Sequence, residues 1–219
     1  MLNFSLANLI IYAIILLTAF PVHEFAHAWT ADQFGDDTPR LNGRLTLNPL
    51  AHLDLIGSLM MIVAGFGWAK PVPINPYALQ RRSRAAPMLV SLAGPMSNLL
   101  MAIIASAFFR LGLVSILQNF HFLSAGIISS IAQFLYIFIR INLLLMLFNL
   151  IPLFPLDGEK VLDYFLPPAG QRVLENIRPY GSMILLVIVL VIPTLTGFNL
   201  IGTVIVPAMD YLTGLLIGA

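Results

Sequence analysis

The sequence predicts an all-α polytopic membrane protein with four to five transmembrane helices, a re-entrant segment and a small interfacial β-hairpin. Composition is the first reason, because 59% of the 219 residues are hydrophobic and only 10% are charged, whereas soluble domains are nearer a quarter charged. The second reason is that uncharged runs recur along the chain. Several of them reach the roughly 20 residues that a membrane-spanning helix needs.

Four of these runs are predicted to span the membrane, at about residues 4–30, 87–112, 125–151 and 180–197. A fifth span, at about 199–217, has weaker support because proline and glycine interrupt the C-terminal region at Pro193, Gly197, Gly202 and Pro207. The uncharged run at 55–69 is too short to cross comfortably and contains Gly57, Gly65 and Gly67. We therefore interpret it as a re-entrant or interfacial segment.

The basic residues predict the orientation, since cytoplasmic loops carry an excess of Lys and Arg. The connection between the first two spans holds six of them and the region after the third span holds three, whereas the connection at 112–126 holds none: Arg40, Arg44, Lys70, Arg81, Arg82 and Arg84, then Lys160, Arg172 and Arg178. The first and third connections should be cytoplasmic and the N-terminus outside. The ends of spans one and three, near residues 30 and 152, then lie on the same side.

The segment from Thr38 to Asn48 is predicted to form two short strands around an Asn42-Gly43 turn, because Asn-Gly is a strong hairpin signal. An ordinary interfacial hairpin is the simpler interpretation. The sharper hypothesis is that an edge of the hairpin pairs with an extended peptide.

A metal-binding pattern lies at the end of the first span, in His23-Glu24-Phe25-Ala26-His27. Residues four apart share one helix face, so the two imidazoles can bind one zinc ion, and Glu24 can take a proton from a water molecule that the metal activates. A satisfied polar helix end is the alternative interpretation. A glutamate and two histidines inside a membrane are costly, however, and this favours a functional site.

A catalytic zinc site usually has three protein ligands and one open position. With no cysteine in the chain, the third ligand must be a histidine or a carboxylate, and the possibilities are His52, Asp54, Asp157, Glu159, Asp163 and Glu175. Asp157 is favoured because it follows the proline-rich residues 149–156, at the predicted cytoplasmic end of span three. Non-helical backbone at membrane depth is tolerated where it is buried in protein or lines a cavity. A turn residue in Asp-Gly is the alternative role for Asp157.

Taken together, the His23–His27 motif and Asn149-x-x-Pro152-x-x-Pro155-Leu-Asp157-Gly158 resemble the site-2 protease family of intramembrane zinc metalloproteases. Segments 48–54, 67–76 and 93–98 are also similar to that family, although Leu55 stands where relatives often have proline. The resemblance implies one zinc ion on His23, His27 and Asp157, Glu24 as the catalytic base, and Asn149 near the scissile carbonyl. It also implies a compact member without a PDZ or CBS domain. Residues 1–219 would form a single domain, with a catalytic core at about 4–165 and C-terminal membrane segments at about 180–217.

The activity implied is that of a zinc-dependent intramembrane endopeptidase, which hydrolyses a peptide bond in or near a transmembrane segment of a membrane-protein substrate. The expected partners are that substrate and the lipid bilayer, and a net charge of +1 gives no case for nucleic acid. The expected location is a prokaryotic cell membrane, multi-pass, with the active site toward the cytoplasm. The sequence names no oligomeric state.

Three other functions fit parts of the pattern. One is a metal-binding or metal-transporting membrane protein, which would need ligands staged across the bilayer. Another is a protease type that uses a late glutamate as third ligand, for which Glu175 is available. The last is a catalytically inactive relative that binds membrane helices.

Four further polar residues need an explanation. Asn98 lies in a span beside Gly94 and is predicted to hydrogen-bond across the bundle. Arg140 falls near the middle of span three and needs a partner or water, which the sequence does not name. His52 and Asp54 could orient a metal ligand by hydrogen bonding, and the alternative interpretation is that they are loop residues near the membrane surface.

Overall fold

The structure, a computed structural model, describes residues 6–54, 70–113 and 125–218, and the described residues are mostly helical with no β-strand. Three stretches are long and apolar enough to cross a membrane, namely Ala86–Arg110, Ser130–Asn149 and Pro168–Thr196. The protein is therefore a helical membrane protein. The predicted re-entrant segment at 55–69 lies outside the described residues.

Eleven α-helices can be followed in the described residues: α1 (Leu6–Gln33), α2 (Thr38–Leu41), α3 (Pro49–His52), α4 (Pro76–Arg82), α5 (Ala86–Arg110), α6 (Ala125–Asn149), α7 (Gly158–Phe165), α8 (Pro168–Ile177), α9 (Gly181–Leu186), α10 (Ile192–Thr196) and α11 (Val206–Ile217). A 3₁₀ turn at Arg178–Tyr180 joins α8 to α9, and single π-helical turns at Val187–Val191 and Ile201–Ile205 precede α10 and α11.

Where the structure describes them, the predicted spans lie mainly on helical backbone. α1 has 28 residues, which at 1.5 Å per residue is about 42 Å, more than the bilayer core requires. α5 and α6 coincide with the predicted spans at 87–112 and 125–151 within two residues at each end. The predicted spans at 180–197 and 199–217 correspond to the continuous helical stretches Gly181–Thr196 and Ile201–Ile217.

The predicted β-hairpin at 38–48 is wrong, because residues 38–41 form the short helix α2. Pro39 is buried in the first turn of this helix, where its fixed φ favours helix and its missing N–H is not needed. Gly43 adopts the left-handed conformation with φ of 66°, and the Arg44 N–H donates to the Pro39 carbonyl at 2.8 Å. The Asn42-Gly43 signal therefore ends a helix, and the proposed strand edge for a peptide does not exist.

Two compact units make up the chain, and the first comprises Met1–Ser97 with Lys160–Leu166. Its core includes Ala31 of α1, Leu79 of α4, and Ala86 and Val90 of α5, all essentially without exposed surface. Small side chains let helix backbones approach closely. The first half of α5 is thereby packed beside the second half of α1.

A buried carboxylate fixes the loop after α1. Asp36 is 1% exposed, and it accepts hydrogen bonds from the backbone N–H groups of Thr38 at 3.1 Å and Asn75 at 2.6 Å. Near it, Arg40 pairs with Asp32 at 2.6 Å, and the hydrogen bond from this guanidinium lowers the pKa of the Asp32 carboxyl. These contacts order the loop that follows the helix carrying His23 and His27.

The second unit comprises Asn98–Glu159 with Pro167–Ala219. Its apolar core joins the second half of α5 to α6 and α11 through Ala102, Ala105, Ile139, Leu143, Met146 and Met209. Within it Asn98 donates to the Asn142 Oδ1 atom at 2.9 Å, and both side chains are fully buried. The predicted hydrogen bond of Asn98 across the helices is confirmed.

Two arginines bind the last helix. Arg140 of α6 contacts the Asp210 carboxylate of α11 at 2.5 Å, and this supplies the partner that the sequence did not name. Arg110, at the end of α5, donates to the carbonyls of Leu215 and Leu216. The C-terminal end of α11 therefore lies beside the C-terminal end of α5.

Candidate metal centre

The two imidazoles predicted as ligands lie together on α1. His23 and His27 are 5% and 8% exposed, and their Nε2 atoms are 3.0 Å apart. Two nitrogens bound to one tetrahedral zinc ion at 2.0–2.1 Å are about 3.3 Å apart. The helical spacing of four residues thus brings the two Nε2 atoms to nearly the separation that a shared zinc ion requires.

The other ring nitrogen of His27 determines which form of the ring is present. Its Nδ1 atom lies 2.7 Å from the carbonyl oxygen of Val90 in α5. A carbonyl oxygen only accepts hydrogen bonds, so Nδ1 carries the proton. In the neutral ring Nε2 is then unprotonated, and its lone pair is available to a metal ion.

Gly94 of α5 leaves open the space next to both Nε2 atoms. A Cβ atom built on this residue would lie 2.6 Å from Nε2 of His23 and still closer to Nε2 of His27. No side chain can stand there, because ordinary contacts between carbon and nitrogen are about 3.5 Å. The absence of a side chain at this position keeps a volume free within bonding distance of two nitrogen ligands.

Glu24 follows His23 on α1 and is half-buried. Its position beside the imidazole pair is given by helix geometry, since successive residues are about 100° apart around the axis. A carboxylate next to two metal-binding imidazoles is a candidate general base for a metal-bound water.

Asp157 lies at the end of a tight turn that follows α6. Within the turn, backbone N–H groups of Leu153 and Leu156 donate to the carbonyls of Ile151 and Leu153 at 2.8 and 2.9 Å. A Cβ at Gly158 would lie 2.5 Å from the Ile151 carbonyl oxygen, so the Gly158 backbone packs directly on the residues that follow α6. The proline-rich sequence thus forms a compact loop with Asp157 half-buried at its end.

His23, His27 and Asp157 are the residues among those described that could each offer one ligand atom to a metal ion. Two imidazole nitrogens and a carboxylate oxygen are a donor set found in catalytic zinc sites. This donor set, the lone pair of His27 and the space at Gly94 together fit a zinc ion.

The other residues considered as third ligands have different surroundings. Glu159 is buried and paired with Arg178, His52 is buried with Nε2 at 2.8 Å from the Thr46 carbonyl, and Glu175 is exposed on α8. Asp54 and Asp163 are half-buried and do not belong to the metal-binding group found among the described residues.

Asn149 is the last residue of α6, and its side-chain amide donates to the Leu145 carbonyl within the same helix at 2.9 Å. It is half-buried. Its predicted role near a scissile carbonyl stays a prediction.

Sequence reasoning missed two parts of this centre. The Val90 carbonyl carries no side-chain signal, so nothing local identifies it as the partner of His27. In the sequence, Gly94 is notable only as a residue beside Asn98 in the second span. That it faces the two imidazoles becomes visible only when α1 and α5 are packed together.

Known proteins resemble this chain over most of its length. The profile of peptidase family M50 matches residues 11–192. YwhC of Bacillus subtilis is 44% identical over 175 residues, which cover 80% of this chain and 78% of that protein. No solved structure matches.

Two mycobacterial proteins named Rip2 are more distant relatives. Rip2 of Mycolicibacterium smegmatis is 32% identical over 185 residues, covering 82% of this chain and 66% of that protein. Rip2 of Mycobacterium tuberculosis H37Rv is 32% identical over 188 residues, covering 83% and 67%. YwhC and both Rip2 proteins are named as candidate zinc metalloproteases.

Proposed function

The chain belongs to peptidase family M50, the site-2 protease family, and from this membership we propose that it hydrolyses a peptide bond in or near a transmembrane segment of a membrane-protein substrate. It is a membrane-embedded zinc metalloprotease. In our proposal His23, His27 and Asp157 bind one zinc ion, Glu24 is the general base and Asn149 is a polar group beside the scissile carbonyl. The observation that carries the proposal is the pair of buried imidazole Nε2 atoms 3.0 Å apart, with the open space at Gly94 next to both.

Zinc, when bound, supplies a Lewis acid that polarises the scissile carbonyl and makes water easier to deprotonate. Residues of the chain orient the metal ligands and keep space for the ion. The Val90 carbonyl keeps the proton of His27 on Nδ1, and so keeps Nε2 free as a ligand. Gly94 keeps side-chain atoms out of the space that metal and water need.

Glu24 is proposed to move the proton. Its carboxylate accepts a proton from the attacking water and then donates it to the leaving amine, so that one group acts first as base and then as acid. Support for this role comes from its place next to His23 on α1, where it is half-buried. A transition-state proton transfer of this kind contributes about 10²- to 10⁴-fold to a rate.

The membrane arrangement we propose places the centre on the cytoplasmic side of a prokaryotic cell membrane. The basic residues between α1 and α5 support a cytoplasmic first connection. α5 then crosses outward, and Arg110 at its end binds the C-terminal carbonyls of α11. The end of α11 therefore lies outside, and the stretch from α7 to α11 makes an odd number of crossings. We propose a single crossing for the stretch from α7 to α11, so that the protein crosses the membrane four times.

A metal transporter would use similar ligands but needs a path for the ion. In the residues described, the side chains that could together bind a metal ion are those of His23, His27 and Asp157. Transport would be favoured by a series of metal sites across the bilayer. One candidate metal site favours hydrolysis.

Replacing Glu24 by glutamine tests the proposed chemistry directly. The Glu24→Gln variant should bind one zinc ion per chain, because the ligands are intact, and should cleave at least about 100-fold more slowly. The assay uses the purified full chain in proteoliposomes with a panel of single-span fusion proteins whose membrane segments carry Gly, Pro or Asn. Glu175→Gln, at an exposed position, is the matched control. Normal cleavage by Glu24→Gln would remove Glu24 as the base.

A further inference from the structure

Residues that follow α8 contact the turn that carries Asp157 on both sides of this aspartate. Glu159, two residues after Asp157, is 1% exposed, and Arg178 approaches it with two guanidinium nitrogens. The Arg178 Nε and Nη2 atoms donate to Oε1 of Glu159 at 2.9 and 2.5 Å. A buried carboxylate that accepts two hydrogen bonds from a guanidinium is fixed in place, because such charge-assisted bonds are about twice as strong as neutral ones.

The other end of the turn meets Gly181, the first residue of α9. A Cβ atom on Gly181 would lie 2.8 Å from Cβ of Phe154 and closer still to the Phe154 carbonyl oxygen. Phe154 precedes Asp157 by three residues. Gly181 follows Arg178 by three residues on continuous helical backbone, so both contacts come from about one turn of helix.

We propose that Arg178 is a positioning residue for the metal ligand Asp157, with Gly181 providing a second contact on the other side of the same turn. This inference rests on the proposed function, since it takes Asp157 as a ligand. Arg178 touches neither substrate nor metal. It acts through Glu159, whose place at the start of α7 sets where the backbone of Asp157 lies.

Positioning of Asp157 gives a reason for the close contacts between the segment after α8 and the turn. Binding by a carboxylate on a loop is weakened by every alternative loop conformation, because the binding-competent one is then only part of the population. The ion pair between Arg178 and Glu159 restricts the loop conformations on one side of Asp157. The packing of Gly181 on Phe154 restricts them on the other side.

The test measures the affinity for zinc alone, by competition with a chromophoric chelator, on the detergent-solubilised full chain. The variants are Arg178→Gln, Arg178→Lys, Asp157→Asn and the double variant. Arg172→Gln on exposed α8 is the matched control. Removing a group that orients a metal ligand typically weakens metal binding by about 10- to 100-fold. Arg178→Gln should weaken zinc binding by about tenfold, Arg178→Lys should restore part of it, and Arg172→Gln should change nothing.

The double variant separates positioning from general damage. If Arg178 acts through Asp157, adding Arg178→Gln to Asp157→Asn weakens zinc binding no further. Zinc affinity of Arg178→Gln equal to that of the unchanged chain would overturn the inference, as would an equal loss in the Asp157→Asn background. If Arg178→Gln does not fold, Gly181→Ala takes its place with the same expectation. Unchanged affinity in Asp157→Asn alone would instead remove Asp157 from the proposed ligand set, and the inference with it.

Discussion

Gly94→Ala is the smallest change that should abolish the metal centre. The added Cβ atom would lie 2.6 Å from Nε2 of His23 and 2.6 Å from Cε1 of His27, and closer again to Nε2 of His27. These distances are about 1 Å shorter than ordinary contacts. They approach the 2.0–2.1 Å at which zinc itself binds nitrogen. The methyl group would therefore compete with the ion for the same space.

The expected magnitude has two parts. Inserting one carbon into a packed site costs about 1–3 kcal/mol of folding free energy. Displacing the ion, or rotating either ring off it, should weaken zinc binding by at least about 100-fold, which corresponds to about 2.7 kcal/mol. Rotation of His27 would also break the hydrogen bond from Nδ1 to Val90, which is 2.7 Å long in the structure.

The assay is zinc content and zinc affinity of the purified Gly94→Ala variant, with thermal unfolding measured in excess chelator. Gly202→Ala is a suitable control, because its added Cβ would meet only the Asn199 side chain, at 3.3 Å or more. The control should bind zinc as the unchanged chain does. A Gly94→Ala variant with unchanged zinc affinity and normal cleavage would refute the argument that Gly94 keeps the metal space open.

Three further predictions follow from contacts elsewhere in the chain. Asp210→Leu removes the carboxylate that pairs with Arg140 and should cost about 1–3 kcal/mol of stability, measured by thermal unfolding. Exchanging the arginine and the aspartate between the two positions should restore most of this stability. If it restores none, the ion pair does not stabilise the protein. Gly158→Ala places a Cβ 2.5 Å from the Ile151 carbonyl and should lower stability by about 1–3 kcal/mol together with zinc affinity, and unchanged values would contradict it. Because the chain has no cysteine, Arg82→Cys and Gly218→Cys can be labelled singly with an impermeant maleimide: the first should react from the cytoplasmic side and the second from outside, and reaction of both from one side would contradict four crossings.

Local rules were sufficient for the helices and for the pair of imidazoles. Uncharged runs of the right length form helices at 6–33, 86–110 and 125–149, because a backbone in lipid must satisfy its own hydrogen bonds. The spacing of His23 and His27 by four residues produces neighbouring Nε2 atoms, which is a property of the α-helix alone.

The wrong hairpin shows where a local rule is ambiguous. Glycine after asparagine indicates a left-handed residue, and Gly43 does adopt one. A left-handed glycine serves a hairpin turn and a helix end equally well. Pro39 and the buried Asp36 decide between them, since Pro39 lies in the first turn of a helix and Asp36 accepts hydrogen bonds from the backbone N–H groups of Thr38 and Asn75.

The partners of the charged and buried groups were not predictable from local sequence. Arg140 and Asp210 are 70 residues apart, and His27 and Val90 are 63 apart. Such pairs depend on which helices pack together and on their rotation about their own axes. Sequence reasoning could state that Arg140 needs a partner, because an isolated charge in a membrane is costly, and the packing of α11 on α6 supplies it.

The central claim is that two imidazoles of α1 and the Asp157 carboxylate bind the same zinc ion. X-ray absorption at the zinc edge, on the purified chain and on Asp157→Asn, tests it most directly. We predict two nitrogen ligands from imidazole and oxygen ligands at about 2.0–2.2 Å, with the oxygen shell altered in Asp157→Asn while both imidazoles remain. A zinc environment that lacks imidazole, or one identical in the two proteins, would contradict the claim.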